Sequence, residues 1–161
     1  MFIERSVYMK RHIDRIEGAH YERGYVYSFH YHLIFVTKYR RNVFTTPELV
    51  DEMKSLILAC GKAGDFEIET MEVMPDHVHV LLSFKPKYAP TDIVKNLKGY
   101  TARAFFKKHP EIKHQKLWGG HLWSNSYYMS TLGNMSKDVV ERYVQSQYMR
   151  AENEGGNSSR G

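Results

Sequence analysis

The chain has 161 residues, 42% of them hydrophobic and 25% charged, and a formal net charge of +5. This length suits one domain with one core. The apolar runs are too short to span a bilayer and the first residues lack a secretory signal, which predicts a soluble, cytoplasmic protein without a membrane partner. The positive charge fits a polyanionic partner without identifying one. Cys60 is the only cysteine, which excludes an internal disulfide, and its place on an apolar helical stripe predicts burial.

The first half of the chain predicts a strand, a helix and a hairpin. Residues 1–24 are rich in charge and are interpreted as a flexible arm. The aromatic and β-branched run Tyr25–Thr37 predicts a strand buried on both faces. A helix is predicted from a cap at Thr46 to Gly64, because apolar residues recur there at helical spacing. Two further strands, Phe66–Met74 and Asp76–Phe84, are close enough in sequence to pair as a hairpin.

The second half repeats the alternation of helix and strand. A helix is predicted from Pro90 to His109, a fourth strand over Leu122–Thr131, and a third helix from Ser136 to Arg150, followed by a disordered tail over 151–161. The order β-α-β-β-α-β predicts an α+β, ferredoxin-like (RRM-like) split βαβ domain over 25–150. Its antiparallel four-stranded sheet carries two helices on one face, leaves the other face free, and is followed by the additional C-terminal helix.

Two histidines in the third predicted strand are candidate metal ligands. His77 and His79 alternate with Val78 and Val80, so both imidazoles lie on one face while the valines face the core. Two imidazoles about 6–7 Å apart on a rigid strand can bind one metal ion. A histidine pair of this kind is also common as polar surface, so the spacing alone leaves both interpretations open.

The third predicted helix carries a tyrosine and a glutamine on one stripe. Tyr143 and Gln147 stand at positions i and i+4, one turn apart. Each residue has an ordinary structural explanation, Tyr143 as a core aromatic and Gln147 as a solvated amide. Their combination with the histidine pair is more specific than any one of the three features.

Four segments together resemble a known family. They are Tyr31–Arg41, Met74–Leu82, Leu122–Tyr128 and Tyr143–Gln147, and they are similar in sequence and order to the single-tyrosine HUH transposases of the insertion sequence 200/605 type. HUH stands for histidine, hydrophobic residue, histidine. The resemblance runs from about Tyr25 to Gln147.

The resemblance implies a role for each site residue. His77, His79 and Gln147 are implied to bind a divalent metal ion, Mg²⁺ or Mn²⁺, with Tyr143 as the nucleophile, and no nucleotide cofactor is needed. The implied activity is cleavage and rejoining of single-stranded DNA at the ends of an insertion sequence through a 5′-phosphotyrosine intermediate. Asp76 either orients a ligand from behind or completes the turn after Pro75.

The resemblance also implies partners. The implied substrate is a DNA hairpin with a nearby cleavage site, and the implied assembly is a homodimer in which the tyrosine helix of one subunit can complete the metal site of the other. Cations and aromatics expected to contact DNA follow the first strand or lie on the second helix and fourth strand: Lys38, Tyr39, Arg40, Arg41, Lys95, Lys98, Arg103 and Trp123.

Several alternatives stay open at the level of sequence. The predicted fold is shared with noncatalytic modules that bind single-stranded nucleic acid on the open sheet face, although such modules carry aromatics there. A domesticated, repeat-associated HUH nuclease and a replication or transfer nuclease share the histidine motif. Tyr127 and Tyr128 compete with Tyr143 for the role of nucleophile.

Overall fold

The computed structural model describes residues 16–131 and 137–156. The strands are β1 (His20–Glu22), β2 (Tyr25–Tyr27), β3 (Tyr31–Val36), β4 (Phe66–Met74), β5 (His77–Phe84) and β6 (Tyr128–Ser130). The helices are α1 (Pro47–Gly64), α2 (Pro90–Lys108), α3 (Pro110–Leu117) and α4 (Lys137–Gly156), and a 3₁₀ turn spans Lys38–Arg40. None of the helices within these two ranges is long and apolar enough to span a membrane.

The main sheet confirms the predicted split βαβ fold. Its strand order is β4-β5-β3-β6, and all three pairings are antiparallel. The register sets Ile34 of β3 opposite His79 of β5 on one side and opposite Tyr128 of β6 on the other. Residues on β3, β5 and β6 that share a face therefore form rows across the sheet.

One face of the sheet packs against α1 and α2 and forms the main core. Leu33, Phe35, Val78, Val80 and Leu82 point to this face and are fully buried. The helix α1 begins as predicted, with the Thr46 side chain accepting a hydrogen bond from the Leu49 N–H and Pro47 in the first turn. It contributes Met53, Ile57 and Cys60 to the core, and burial raises the pKa of the Cys60 thiol to about 11. The prediction that Cys60 is a buried apolar residue is confirmed.

The predicted first strand is divided in two. β2 leaves the main sheet and pairs with β1 as a separate antiparallel hairpin, whose turn contains Gly24 at a φ of 96°, a conformation that favours glycine. The boundary predicted at residue 24 falls inside this hairpin. A continuous aromatic run does not reveal that Ser28–His30 leave the strand, because their composition matches the strand on either side.

The second half also departs from prediction in three places. α3 forms where a loop was predicted, and burial of Ile112 and Leu117 holds it to the core. The fourth strand is three residues long instead of ten. Before it, the Ser124 N–H donates to the Val36 carbonyl, and the carbonyls of Ser124 and Ser126 accept from Lys98 Nζ. α4 continues to Gly156, so the predicted domain end at 150 lies inside a helix.

Residues 1–15, the cap predicted at Ser136 and the end of the predicted tail lie outside the described residues.

The last helix covers part of the sheet face that was predicted to be free. Val144 is 5% exposed and packs with Ile34 and Val36, and Val140, Tyr143 and Tyr128 surround this small second cluster. The helix carrying the candidate nucleophile therefore lies on the same face of the sheet as the two histidines.

Candidate functional site

The two histidines point to one face of the sheet, as the alternation predicted, and α4 covers part of that face. His77 pairs with Val36 across the sheet and His79 pairs with Ile34, while the intervening Val78 is fully buried in the main core. Both imidazoles are half-buried. The strand itself fixes their common direction, because residues two apart on a strand point to the same face, and β5 is paired on both edges, with β4 and β3.

The carboxylate of Asp76 holds the ring of His77. Asp76 Oδ1 lies 2.8 Å from His77 Nδ1, which leaves Nε2 on the far side of the ring as the nitrogen able to bind a ligand. Asp76 Oδ2 accepts a hydrogen bond of 2.6 Å from Arg40 Nε. Burial alone would raise the pKa of Asp76, but its hydrogen bonds with His77 and Arg40 outweigh burial and lower it. Asp76 is therefore a carboxylate placed behind His77, which is one of the two alternatives that the sequence left open.

A third histidine, which the sequence analysis missed, contacts the pair. His32 Nδ1 lies 3.2 Å from His79 Nε2, and His32 is 9% exposed. The pKa of His79 is lowered, first by burial and then by the neighbouring His32. His32 stands two residues before Ile34 on β3, so period-two alternation along β3 would have put it on the histidine face once the register with β5 was known.

Arg40 joins the histidine side of the site to α4. Besides its bond to Asp76, its Nη1 donates a hydrogen bond of 3.3 Å to Gln145 Oε1, and its guanidinium lies 5.1 Å from the centre of the Tyr148 ring. The sequence predicted Arg40 as a DNA contact. In this structure its side chain connects the Asp76 carboxylate with the last helix, and a contact of Arg40 with DNA stays a prediction.

Within one chain, Tyr143 points away from the histidines. Its hydroxyl donates a hydrogen bond of 3.2 Å to Ser126 Oγ, and its ring lies 5.7 Å from that of Tyr128 on the edge strand β6. Burial raises the pKa of the Tyr143 phenol. Because β3 separates β6 from β5, the structure does not bring Tyr143 to His77 and His79 in this arrangement.

Gln147 shares the stripe of Tyr143, as predicted, and also lies on the side away from the histidines. It lines a cavity of about 140 Å³ together with Thr37, Lys38 and Ser126. His77 lines a different cavity of about 470 Å³, where α4 presents Glu141 and Gln145. A single chain therefore does not assemble His77, His79, Gln147 and Tyr143 into one site.

The donor set fits a divalent cation in part. His77 and His79 supply two imidazole nitrogens on one face, and Asp76 fixes the orientation of the first. Across residues 16–131 and the described part of α4, no group of three or more His, Cys, Asp and Glu side chains is arranged to hold a metal ion. The remaining ligands must therefore come from other donors, such as an amide oxygen, water or the phosphate of a substrate.

A cationic cleft lies on the opposite side of the sheet, along α2. It has a volume of about 850 Å³, and Lys95, Arg103 and Lys107 line it together with Phe106 and Tyr127. Lys95 and Arg103 were predicted DNA contacts, and both are exposed. Their position along one cleft gives a surface suited to a polyanion.

The side chains of two predicted DNA contacts, Lys98 and Trp123, turn inward in this structure. Lys98 Nζ donates hydrogen bonds of 2.8 and 2.7 Å to the carbonyl oxygens of Ser124 and Ser126, and burial lowers the pKa of its ammonium to about 8. Trp123 is 4% exposed, and its Nε1–H donates a hydrogen bond to Thr101 Oγ1. The sequence could not separate Trp123 from Trp118, which is 67% exposed and was not predicted to act. Both side chains are engaged within the protein in this structure, and the contacts of Lys98 and Trp123 with DNA stay predictions.

Fold and site together define an α+β domain with a histidine pair on one strand and a tyrosine helix packed across the same sheet face. Residues 25–147 match the model of the family described as "Transposase IS200 like". The chain belongs to this IS200-like transposase family.

Relatives of established name agree with this assignment. The chain is 44% identical to the ISDra2 transposase TnpA of Deinococcus radiodurans over 126 residues, which cover 78% of this chain and 89% of the relative. It is 28% identical over 117 residues to the transposase for insertion sequence element IS200 of Salmonella typhimurium, covering 73% of this chain and 75% of the relative. A crystal structure assigned as a transposase from Deinococcus radiodurans superposes with a TM-score of 0.73 at 38% identity, covering 80% of this chain and 98% of that one.

Proposed function

We propose that this transposase cleaves and rejoins single-stranded DNA at the ends of an insertion sequence, with Tyr143 as nucleophile and a divalent cation bound at His77 and His79. The observation that carries the proposal is the histidine pair on one face of β5, with the ring of His77 anchored by Asp76. A pair of imidazoles held in this way serves metal binding better than it serves packing, because the core lies on the other face.

Four residues would hold or orient the cation. His77 and His79 would bind it directly, Asp76 would fix the His77 ring, and Gln147 would add an amide oxygen once α4 is repositioned. Mg²⁺ or Mn²⁺ suits a site that leaves positions for water and phosphate oxygens. A cation bound there would neutralise charge on the scissile phosphate and make its phosphorus more electrophilic.

The chemistry assigned to Tyr143 is a transesterification. The phenol loses its proton and its oxygen forms a bond to phosphorus, while the bond from phosphorus to the 3′ oxygen breaks and that oxygen takes up a proton. The 5′-phosphotyrosine keeps the energy of a phosphodiester, so the 3′-hydroxyl of another DNA end can reverse the step and join the strands. A free phenol is mostly protonated at neutral pH, so the proton would leave Tyr143 as its oxygen attacks phosphorus.

A second copy of the chain would supply the missing alignment. In one chain the Tyr143 hydroxyl bonds Ser126 on the β6 side, whereas the histidines lie on the β5 side. We propose a homodimer in which α4 of one subunit reaches the histidines of the other. A mixture of Tyr143→Phe and His77→Ala chains would then regain about a quarter of the wild-type sites, since half the dimers are mixed and each holds one intact site. No recovery on mixing, after exchange of subunits is verified, would mean that Tyr143 acts on its own histidines.

DNA outside the cleaved bond would be held by cations on two surfaces. Lys38 and Arg41 flank the turn that follows β3, and Lys95 and Arg103 line the cleft along α2. The cleft has the size and charge to receive the sugar-phosphate backbone of a hairpin. Such contacts weaken as the salt concentration rises, because the release of counterions from the DNA then contributes less free energy.

The test is formation of a covalent protein-DNA adduct. The full chain is incubated with single-stranded DNA from the flanks of its encoding element, with Mn²⁺ or with a chelator, and products are separated under denaturing conditions. Wild type should give an adduct only with the metal, and Tyr143→Phe should give none while still binding the DNA. An unchanged adduct from Tyr143→Phe, with loss in Tyr127→Phe or Tyr128→Phe, would transfer the nucleophile to the edge strand.

A further inference from the structure

We propose that Trp118, together with Tyr39 and Arg41, forms a stacking site for one unpaired base of single-stranded DNA. This surface, which we call the indole platform, lies beside the catalytic residues and shares none of them. The identity of its ligand as DNA rests on the proposed function.

Trp118 is held outward by the backbone around it. It ends α3 in the left-handed region, at a φ of 50° and a ψ of 38°, where a non-glycine residue is uncommon. The next two residues fix this turn, because the Gly119 N–H donates to the Lys113 carbonyl and the Gly120 N–H to the Leu117 carbonyl, each at 2.8 Å. The indole is therefore presented at a defined place.

Packing of the core does not explain why Trp118 is exposed. Its neighbour Leu117 is 1% exposed and closes the end of α3, while Trp118 is 67% exposed. Trp123, only five residues later, is buried and hydrogen-bonded. A large aromatic surface left in water beside well-packed residues is typical of a contact surface.

The aromatic and charged neighbours of Trp118 suit a nucleotide. The Arg41 guanidinium lies 4.3 Å from the centre of the indole ring, and the Tyr39 ring lies 5.4 Å from it. Lys38 Nζ lies 5.3 Å from the centre of the Tyr39 ring. Rings that alternate with cations bind single strands, because bases stack on the rings while phosphates meet the charges.

The platform is continuous with the candidate catalytic site. Tyr39 and Arg40 are adjacent in the 3₁₀ turn and both have a positive φ, 57° and 51°. Their side chains serve different surfaces, since Tyr39 lies against Trp118 whereas Arg40 bonds Asp76, which holds His77. We therefore assign the stacked base to the strand whose phosphate would lie at the histidines.

Intrinsic fluorescence can report on this site directly. The chain has two tryptophans, and only Trp118 is exposed. The full-length protein without added metal is titrated with a short oligothymidylate and with an abasic oligonucleotide of the same length. The bases should quench Trp118 emission, and the abasic backbone, which keeps every phosphate, should not.

Substitution provides the affinity measurement. Trp118→Ala should weaken binding of the oligothymidylate about 5- to 100-fold, the range that stacking of one base supplies, and Trp118→Phe should retain part of it. Tyr25→Ala is the matched control, because Tyr25 is 43% exposed but lies in the hairpin at the other end of β3. It should bind as wild type does.

Three outcomes would overturn the platform: equal affinity for abasic and base-containing strands, unchanged affinity of Trp118→Ala, or quenching by oligouridylate with none by DNA. The first and third need only the wild-type chain, so a folding defect in the variant cannot hide them. Failure of the proposed function appears separately, as absence of the Tyr143 adduct while base-dependent quenching persists.

Discussion

The two faces of the four-stranded sheet are built from alternate residues of the same strands, yet they differ in polarity and in how firmly they are covered. On β5, Val78, Val80 and Leu82 face a large core closed by α1 and α2. His77 and His79 face the other side, where the buried residues of the described part of the chain under α4 are Ile34, Val36 and Val144. The proposed function requires α4 to carry Tyr143 toward a histidine site, and a small buried contact opens at lower cost than a large one.

The largest expected effect is on the histidine face. Changing His77 and His79 together to alanine should lower adduct formation on the order of 1,000-fold, because loss of cation binding removes several kcal/mol of transition-state stabilisation. The free energy of unfolding should fall by less than it does for a core substitution. Adduct yield and urea unfolding of the same preparation check both parts, and an active double variant would remove the metal site from β5.

A substitution on the core face should instead lower stability and leave activity nearly unchanged. Leu82→Ala leaves a cavity beneath α1 and α2 and should lower the free energy of unfolding by about 2–5 kcal/mol, since Leu82 is fully buried. Adduct formation per folded molecule should change little. Chemical unfolding and an assay normalised to the folded fraction measure this, and a selective loss of activity would show that the two faces are not independent.

A smaller effect is expected at Asp76, which bonds the proposed metal ligand His77. Asp76→Asn keeps the size of the side chain but weakens the hold on His77 Nδ1, and should lower Mn²⁺ affinity about 10- to 100-fold. Calorimetric titration of Mn²⁺ onto the DNA-free protein gives the value without relying on activity. Unchanged affinity would leave Asp76 with only its bonds to Arg40 and to the turn.

The smallest effect concerns pH and the helical side of the molecule. Burial alone would lower the pKa of His109, but its hydrogen bonds with Glu52 and Glu111 outweigh burial and raise it. Protonated His109 therefore stabilises the folded state fully at pH values below the pKa of an unfolded histidine. This stabilisation is lost as the pH rises through the raised pKa of His109. His109→Gln should be less stable than wild type at pH 5.5 by at most about 1 kcal/mol, with a smaller gap at pH 8.5. Thermal unfolding at the two pH values checks the sign, and a gap that widens with pH contradicts it.

The sequence predicted best where a local pattern determines the structure. The cap at Thr46, the helix that follows it and the alternation on β5 depend on neighbours within a few residues, and the structure confirms them. It predicted poorly where a distant partner decides. The separation of β2 from β3 depends on pairing with β1, and α3 has only two buried residues to mark it.

The candidate site shows the same contrast between features set by local spacing and features set by distant partners. The common direction of His77 and His79 follows from the period of a strand, whereas the contact of His32 with His79 needs the register between β3 and β5. Lys98 and Trp123 show that the exposure of a side chain cannot be inferred from its residue type alone. Both side chains turn inward to hold the segment that leads to β6, and the exposed Trp118 offers the aromatic surface expected of Trp123.

The most direct measurement is the identity of the residue that becomes attached to DNA. Wild-type protein is incubated with cleavable single-stranded DNA and Mn²⁺, digested with protease and nuclease, and analysed by mass spectrometry for a peptide carrying a nucleotide. The account predicts the modification on Tyr143 and its disappearance when metal is removed. A nucleotide attached to Tyr127 or Tyr128, or an adduct that forms equally well in chelator, would contradict it.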